Sequence, residues 1–267
     1  MSVKNGWNTV SQSYQAKTAI SLEDVHYGPI SPGESELKLL GNVKGKNILE
    51  IGCGGGQNSV VLAKWGAKPV GLDLSNEQIR HAKKLAKKER VKVAFHVGNM
   101  EDLSAFKNES FDIVLSSFAL DYVDNPLRTF QETYRVLKKS GLFVLAVVHP
   151  IAHRGRVLRY GKRRMWAVGN YFDRSKHRWK WRIEERTAEF NTGQRTLQDY
   201  FDMLVNAGFY VERILEPAPY NVDALSEQER KKIPYSSEYY TKYYDIWSKT
   251  PYTIIFKTRK PQGRRRP

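Results

Sequence analysis

The sequence Glu50-Ile51-Gly52-Cys53-Gly54-Gly55-Gly56 joins a predicted buried strand (46–51) to a helix predicted to begin near Asn58. Glycines at such a turn let the main chain approach a ligand closely, and the first turn of a helix offers free N–H groups. Asp73 ends the next predicted strand (69–73), where a carboxylate can accept hydrogen bonds from both hydroxyls of a ribose. Together these features predict a site for an adenosine-containing ligand.

The spacing of the glycines excludes two common nucleotide-binding motifs. A dinucleotide fingerprint needs Gly-x-Gly-x-x-Gly, but counting from Gly52 or Gly54 places Gln57 or Ser59 at the last position. A phosphate-binding loop needs Gly-x-x-x-x-Gly-Lys-Ser/Thr, and the nearest stretch, Gly41 to Lys46, is one residue short. The pattern is instead Glu-x-Gly-x-Gly-x-Gly with an acidic residue after the second strand.

Strands and helices alternate through the middle of the chain. Strands are predicted, beyond the two above, at 91–96, 111–116, 142–148, 210–215 and 252–257. Strands that alternate with helices form a parallel sheet with right-handed crossovers, and such sheets bind ligands at the carboxyl ends of their strands. The alternation breaks after Pro150 and resumes with a helix predicted at 196–207.

Composition and charge exclude several classes of protein. One Cys in 267 residues rules out a disulfide framework and a Cys-rich zinc site. The longest apolar run, Leu142 to Val148, is far shorter than the ~20 residues of a membrane span, and the amino terminus lacks an apolar signal region, so we expect a cytoplasmic protein. The net charge of +16 favours anionic partners, namely nucleic acid, a membrane surface or an acidic small molecule, unless it reflects only a solvated basic surface.

Further segments follow the glycine loop in a recognisable order. They are Gly98-Asn99-Met100-Glu101-Asp102-Leu103, Phe111-Asp112-Ile113-Val114, and Tyr134-Arg135-Val136-Leu137 with Ser140-Gly141. With this ordered set, the chain resembles the class I S-adenosylmethionine-dependent methyltransferases over about residues 44–150. Within them it is similar to the ubiquinone/menaquinone-biosynthesis-like and other small-molecule enzymes.

The resemblance implies a fold, a cofactor and a cofactor site. The fold is a Rossmann-like α/β sheet of seven strands, mostly parallel with the last strand antiparallel, flanked by helices. The cofactor is S-adenosylmethionine, with the glycine loop at its methionine part, Asp73 at the ribose and the 98–103 loop at the adenine, where Asn99 replaces the usual Asp. The predicted cofactor-binding residues are Glu50, Gly52, Cys53, Gly54, Gly56, Gln57, Asp73, Leu74, Asn99, Met100, Glu101, Ser116 and Tyr14.

Two residues are candidate proton acceptors for catalysis. Asp121 follows the fourth strand, between cofactor and substrate, and His149 ends the fifth strand and titrates near neutral pH. A turn-capping Asp121 and a hydrogen-bonded structural His149 remain open as alternatives. The methyl donor reacts by in-line displacement, which needs alignment of the acceptor and no metal. The predicted substrate residues are His26, Tyr27, Tyr122, His153, Arg163 and Trp166.

We expect one domain over residues 1–258, with an amino-terminal lid segment (1–32), a substrate cap inserted at 151–195 and a disordered basic tail (259–267). Residues 152–186 contain 12 Lys or Arg, three acidic residues and interleaved aromatic residues. Such a segment suits stacking on bases or binding of anionic groups. The alternation of Trp179, Trp181 and Ile183 with charged residues also predicts a half-buried strand, so we favour a strand-containing cap that selects the substrate.

The predicted activity is methyl transfer to an oxygen or nitrogen of a small-molecule acceptor, anionic or aromatic in character. An RNA methyltransferase acting on tRNA or rRNA is the alternative, motivated by the basic insertion and by Arg264-Arg265-Arg266. Against it, Ser116-Ser117-Phe118-Ala119 stands where base amino-methylating enzymes carry Asn/Asp-Pro-Pro-aromatic. A non-catalytic, donor-binding subunit is a third hypothesis, and the oligomeric state is left open.

Overall fold

The computed structural model describes residues 2–18, 20–153, 155–230, 235 and 241–263. Its strands are β1 (Asn47–Ile51), β2 (Lys68–Asp73), β3 (Ala94–Val97), β4 (Phe111–Ser117), β5 (Leu137–Val148), β6 (Gly155–Tyr160), β7 (Arg163–Val168), β8 (Lys176–Ile183), β9 (Arg186–Gly193), β10 (Tyr210–Leu215) and β11 (Thr253–Arg259). Its α-helices are α1 (Val3–Thr18), α2 (Glu34–Leu37), α3 (Gln57–Lys64), α4 (Asn76–Lys88), α5 (Pro126–Val136), α6 (Pro150–His153), α7 (Leu197–Asn206), α8 (Glu227–Arg230) and α9 (Tyr244–Trp247).

Seven strands form the central sheet in the order β10-β11-β5-β4-β1-β2-β3. The pairs β5–β4, β4–β1, β1–β2 and β2–β3 are parallel, and β11 runs antiparallel to both of its neighbours. The predicted α/β fold, including its antiparallel last strand, is therefore confirmed. The order reverses between β1 and β4, and ligands in such sheets bind outside the carboxyl ends of the strands at that point.

Local sequence signals set the helices that flank the sheet. Ser75 caps α4 by accepting a hydrogen bond from the Gln78 N–H, and Asn125 caps α5 just before Pro126. Side chains from the two faces of the strands pack separately, Leu49 and Ile51 on one side and Ile48 on the other. Apolar burial on both faces fixes the register of β1 and hence the position of the glycine loop that follows it.

The amino-terminal segment begins with a 16-residue helix, α1, that the sequence analysis did not predict. Val3, Trp7, Val10 and Tyr14 recur at helical spacing, so the signal was present although polar residues surround it. The carboxyl-terminal boundary also differs, because β11 continues to Arg259 and Lys260 is buried. The prediction of a disordered tail from 259 is therefore wrong for Arg259 and Lys260, and residues 264–267 lie outside the described residues.

The insertion after β5 forms two antiparallel hairpins, β6–β7 and β8–β9, which are separate from the central sheet. Trp179, Trp181 and Ile183 are more buried than the charged residues between them, as their alternation predicts. The hairpin β8–β9 packs against α1, which joins the insertion to the amino-terminal segment. Arg154 of the insertion lies outside the described residues. Among the described residues, no helix combines the length and the apolar character that crossing a membrane requires.

Candidate functional site

Two adjoining cavities lie at the carboxyl ends of the parallel strands. We name the first the glycine-loop cavity; it measures about 590 Å³ and its walls include Glu50, Gly52, Gly54 and Asp73. The cavity therefore contains the loop and the acidic residue that the sequence singled out. It also includes residues from the 98–103 loop and from α1.

The glycine loop bends through backbone conformations that side chains rarely adopt. Gly52 has φ +70°, and a Cβ at this position would overlap the Ala119 side chain and lie 3.0 Å from Met100 Cε. Gly54 has φ +51°, and no atom lies within 4 Å of the position that a Cβ would take. Glycine is thus required sterically at position 52, and at position 54 it leaves the main chain open to a ligand.

The Asp73 carboxylate is held in place by backbone donors. Its Oδ2 accepts a hydrogen bond from the Gly54 N–H at 2.8 Å, and its Oδ1 accepts one from the Ser75 N–H at 2.8 Å. Burial raises the pKa of Asp73, whereas these two hydrogen bonds lower it. Each oxygen keeps a second lone pair, so an oriented carboxylate remains able to accept hydrogen bonds from a ligand.

Glu50 is a buried acid beside this loop. Its Oε2 accepts a hydrogen bond from Ser59 Oγ at 2.5 Å. Burial raises the pKa of Glu50 to about 7, against the lowering effect of hydrogen bonds from Ser59 and Asn58. A cationic group of a ligand placed beside this carboxyl group would favour its ionised form.

Part of the wall of the glycine-loop cavity comes from α1, through residues such as Trp7, Tyr14 and Gln15. Gln15 Nε2 donates to Gln78 Oε1 at 2.8 Å, and Gln57 Nε2 donates to Gln15 Oε1 at 2.5 Å. These amide contacts tie α1 to α3 and α4 across the cavity. Residues of the predicted lid segment thus line this cavity. Tyr14 and Gln57 were predicted there, whereas Gln15 and Gln78 belong to no motif and were missed.

Of the remaining predicted cofactor contacts, five line the glycine-loop cavity and two do not. Leu74, Asn99, Met100 and Glu101 line the glycine-loop cavity, and the Asn99 amide donates to Glu101 Oε2 at 3.2 Å. Cys53 also lines the cavity, but burial raises the pKa of its thiol well above the usual range, so it is not a thiolate nucleophile at neutral pH.

Gly56 and Ser116 were predicted to contact the cofactor, but neither of them lines either cavity. Gly56 has φ +81° and precedes α3, where a Cβ would lie 2.8 Å from Ala82 Cβ, so its glycine serves packing. Ser116 is buried within β4, and strand alternation turns it away from the face that Ser117 presents. Ser117 lines the cavity instead and donates to the His26 carbonyl at 3.0 Å.

The second cavity, which we name the aromatic cavity, measures about 670 Å³. Its ring side chains come from α1, from the segment after β4, from the insertion, and from the region before β11: Trp7, Tyr14, Phe118, Tyr122, Trp166, Trp179, Trp181, Tyr235, Tyr243, Trp247 and Tyr252. Five residues line both cavities and form their junction: Trp7, Tyr14, Phe118, Tyr122 and Tyr235. Tyr122 and Trp166, which were predicted to contact the substrate, both line the aromatic cavity.

Asp121 and His153 are the acid and the imidazole that face each other in the aromatic cavity. His153 Nε2 lies 3.8 Å from Asp121 Oδ1, and Tyr200 Oη donates to the same oxygen at 3.1 Å. Among the described residues, His153 Nδ1 is buried and has no hydrogen-bond partner. The separation of Nε2 and Oδ1 exceeds a hydrogen bond, so both groups keep capacity to bind a polar atom of a ligand.

The structure contradicts the role predicted for His149. Its Nδ1 accepts a hydrogen bond from the Ile151 N–H at 3.1 Å, so Nε2 carries the hydrogen and donates to Glu216 Oε1 at 2.7 Å. Burial lowers the pKa of His149, while Glu216 acts in the opposite direction. With both nitrogens engaged and the ring outside both cavities, His149 is a structural residue at the end of β5.

Three predicted substrate residues lie elsewhere than expected. Tyr27 is buried, donates to Glu34 Oε2 at 2.5 Å and lines neither cavity. Arg163 is exposed on β7 and lines only a surface groove. His26 lines the glycine-loop cavity, where burial lowers its pKa to about 3 and keeps its imidazole neutral. The positions of these residues along the sequence do not determine which cavity they line.

The glycine-loop cavity has the chemistry that S-adenosylmethionine requires. An oriented carboxylate (Asp73) suits a ribose, a buried acid (Glu50) suits an ammonium group, and Gly54 leaves the main chain uncovered. Within the described ranges, no group of three or more His, Cys, Asp or Glu side chains is arranged to hold a metal ion.

Comparison with known proteins gives the same result. A family described as a methyltransferase domain matches residues 49–145. An uncharacterized methyltransferase of Bacillus subtilis, YbaJ, is 32% identical over 182 residues, which are 65% of this chain and 69% of that protein. The ubiquinone biosynthesis O-methyltransferase of Pelagibacter ubique is 35% identical over 112 residues, 42% of this chain and 45% of that protein.

A solved structure is similar in fold over a longer stretch. The S-adenosylmethionine-dependent methyltransferase of Mesorhizobium loti superposes with a TM-score of 0.62 at 23% identity. The match covers 84% of this chain and 94% of that one. It therefore extends well beyond the residues that carry the sequence motifs.

Proposed function

This chain belongs to the class I S-adenosylmethionine-dependent methyltransferases, and we propose that it methylates an oxygen or nitrogen of a small aromatic or anionic acceptor. The observation that carries the proposal is the junction of five residues at which the aromatic cavity meets the glycine-loop cavity. An acceptor enclosed by aromatic rings there would lie next to the donor. Alignment of the two reactants is the main task of an enzyme whose methyl donor is intrinsically reactive.

We assign the donor to the glycine-loop cavity. When bound, S-adenosylmethionine supplies an activated methyl group on a sulfonium. In this assignment Asp73 accepts hydrogen bonds from the ribose, Glu50 binds the amino group, and Leu74, Asn99 and Met100 surround the adenine. Trp7 and Gln15 of α1 cover the cavity and exclude water from it.

We assign the acceptor to the aromatic cavity. Its rings offer flat apolar walls, which suit an aromatic acceptor, and Lys242, Arg156 and His177 supply positive or polar groups for an anionic substituent. Asp121 and His153 flank the position of a hydroxyl or amine hydrogen and can accept the proton that methylation releases. Tyr200 orients Asp121 by its hydrogen bond to Oδ1.

The basic insertion favours a small acceptor over RNA for a specific reason. Several of its cations are already paired with acids: Arg164 with Asp245, Arg174 with Asp199, Lys176 with Asp124, and Arg178 and Lys180 with Glu189. Such pairs leave less positive charge for phosphates, which dominate the affinity of proteins for nucleic acids.

A label-transfer assay tests the proposal. Purified, nuclease-treated protein is incubated with methyl-labelled S-adenosylmethionine and a cell extract, which is then separated into RNA, protein and small-molecule fractions. We expect the label in the small-molecule fraction. Label in RNA would instead support the RNA methyltransferase, and donor binding without label in any fraction would support a non-catalytic subunit.

A further inference from the structure

The hairpin β6–β7 exposes three apolar side chains and one cation on one of its faces. Its pairing places Leu158 opposite Met165 and Tyr160 opposite Arg163, and alternation along each strand puts these four side chains on one face. Leu158 is 40% exposed, Met165 52% and Tyr160 79%. We call this surface of four side chains the hairpin outer face.

The other face of the hairpin is anchored to the protein. Val157 and Trp166 pack in a cluster with Trp247, and Trp166 Nε1 donates to the Ile151 carbonyl at 2.9 Å. Arg164 forms an ion pair with Asp245 at 2.5 Å. The hairpin outer face is therefore exposed even though the hairpin itself is packed against the rest of the protein.

The hairpin is also strongly cationic. From Gly155 to Val168 the sequence contains five Lys or Arg residues and no acidic residue. Three of these cations lie outside both cavities and form no ion pair with a described residue: Arg159, Lys162 and Arg163. The cations Lys176, Arg178 and Lys180 of β8, in contrast, are paired. Exposed apolar side chains and a concentration of positive charge thus share one small element.

We propose that the hairpin outer face binds the surface of a bilayer that contains anionic lipids. Apolar side chains enter the boundary between headgroups and acyl chains, while neighbouring Lys and Arg side chains attract the anionic headgroups. A second copy of this chain fits less well, because a symmetric contact would bring like charges together. RNA would engage the cations but leaves the exposed Leu158 and Met165 without a function.

The position of the hairpin also bears on the nature of the acceptor, and this inference rests on the proposed function. Val157 and Trp166, on the inner face of the same hairpin, line the aromatic cavity. A bilayer on the outer face would therefore lie one hairpin away from the acceptor site. That arrangement suits an acceptor that carries a hydrocarbon portion and partitions into lipid.

The test is sedimentation of the full chain with vesicles of phosphatidylcholine alone or of phosphatidylcholine and phosphatidylglycerol in equal amounts. We expect binding to the anionic vesicles that weakens with salt. The double variant Leu158→Ser/Met165→Ser should bind at least about tenfold less tightly, since each apolar side chain contributes through the area it buries. Lys162→Gln/Arg163→Gln should lose about tenfold as well, through the headgroup attraction.

A matched control removes exposed apolar residues elsewhere. Val205 on α7 and Ile214 on β10 are 46% and 41% exposed, and Val205→Ser/Ile214→Ser should bind vesicles as the parent does. The affinity of each variant for S-adenosylhomocysteine reports whether it is folded and needs no turnover, so failure of the proposed function would leave this result readable.

Three outcomes would overturn the proposal. One is equal binding of the parent and the Leu158→Ser/Met165→Ser variant to anionic vesicles. Another is a dimer in solution that this variant converts to a monomer, which would assign the face to self-association. The third is binding of single-stranded RNA, but not of vesicles, with the same dependence on Lys162 and Arg163.

Discussion

The glycine-loop cavity takes its shape from the main chain and from carboxylates at the ends of parallel strands, whereas the aromatic cavity is built from ring side chains on short helices and hairpins. In the first, Gly54 and Ser75 fix Asp73 through backbone N–H groups. In the second, Trp166 and Trp247 come from segments about eighty residues apart and meet only through tertiary packing. The loop and the acid of the first site are encoded locally, whereas the second site depends on the whole fold, so substitutions in them should have different effects.

The largest effect is expected for Gly52→Val. A side chain at φ +70° is strained and would overlap Ala119, so affinity for S-adenosylhomocysteine should fall about a hundredfold or more in calorimetric titration. Gly45→Val is the matched control, because Gly45 has φ +76° but no atom within 4 Å of a Cβ. Equal affinities of the two variants would show that the loop does not shape the donor site.

Asp121→Asn should separate the two cavities. Without a carboxylate to accept the proton, kcat/KM for the acceptor found by label transfer should fall about a hundredfold, while the affinity for S-adenosylhomocysteine stays unchanged. His149→Gln should keep kcat/KM near the parent value, because His149 lies outside both cavities. A loss in His149→Gln as large as that in Asp121→Asn would restore the role predicted from sequence.

Asp73→Asn should weaken donor binding without affecting the acceptor. The amide keeps one acceptor oxygen but loses the charge, so the Kd of S-adenosylhomocysteine should rise about tenfold to thirtyfold. Asp102→Asn, on the exposed side of the 98–103 loop, should leave this Kd unchanged. A rise in the KM of the acceptor alone would contradict the assignment of Asp73 to the ribose.

The contrast between the cavities also explains what could be predicted from sequence. The sheet, its antiparallel last strand, Gly52 and Asp73 follow from short-range patterns, since a strand, a glycine turn and a helix lie within a few residues. His149 could not be distinguished from His153 in this way, because the partner that engages His149 is Glu216, 67 residues away. The walls of the aromatic cavity depend on how α1 and the hairpins dock, which periodicity within each element does not specify.

The protonation of Glu50 gives a prediction about pH. Its pKa is about 7 in the folded protein, against an ordinary value of 4.5 for a solvated glutamate, which we take for the unfolded chain. Its contribution to stability is therefore complete below pH 4.5 and is lost as the pH rises through 7. Between these values, the free energy of unfolding of the parent should fall by about 3 kcal/mol relative to Glu50→Gln.

Urea titrations of both proteins across this range measure the difference. His26 also affects stability in this range, because burial lowers its pKa to about 3 in the folded protein while the unfolded chain takes up a proton near the ordinary pKa of 6.5. His26 is present in both proteins, so its effect cancels. If the free energy of unfolding changed with pH in the same way in the parent and in Glu50→Gln, Glu50 would not be held in a desolvated site.

The smallest effect is expected at the lid. Gln15→Ala removes the amide that bridges Gln57 and Gln78, so α1 should cover the donor less tightly and the Kd of S-adenosylhomocysteine should rise about fivefold. Gln198→Ala removes a solvent-exposed contact with Asp202 on α7 and should change nothing. Identical Kd values for the two variants would mean that α1 does not contribute to donor binding.

The most direct test of the two-cavity account is a crystal structure with S-adenosylhomocysteine bound. We predict the ribose hydroxyls on Asp73, the amino group near Glu50 and the sulfur at the junction, within reach of Trp7 and Tyr122. A sulfur that faces away from the junction, or a nucleoside bound outside the glycine-loop cavity, would contradict the assignment of donor and acceptor to adjoining sites.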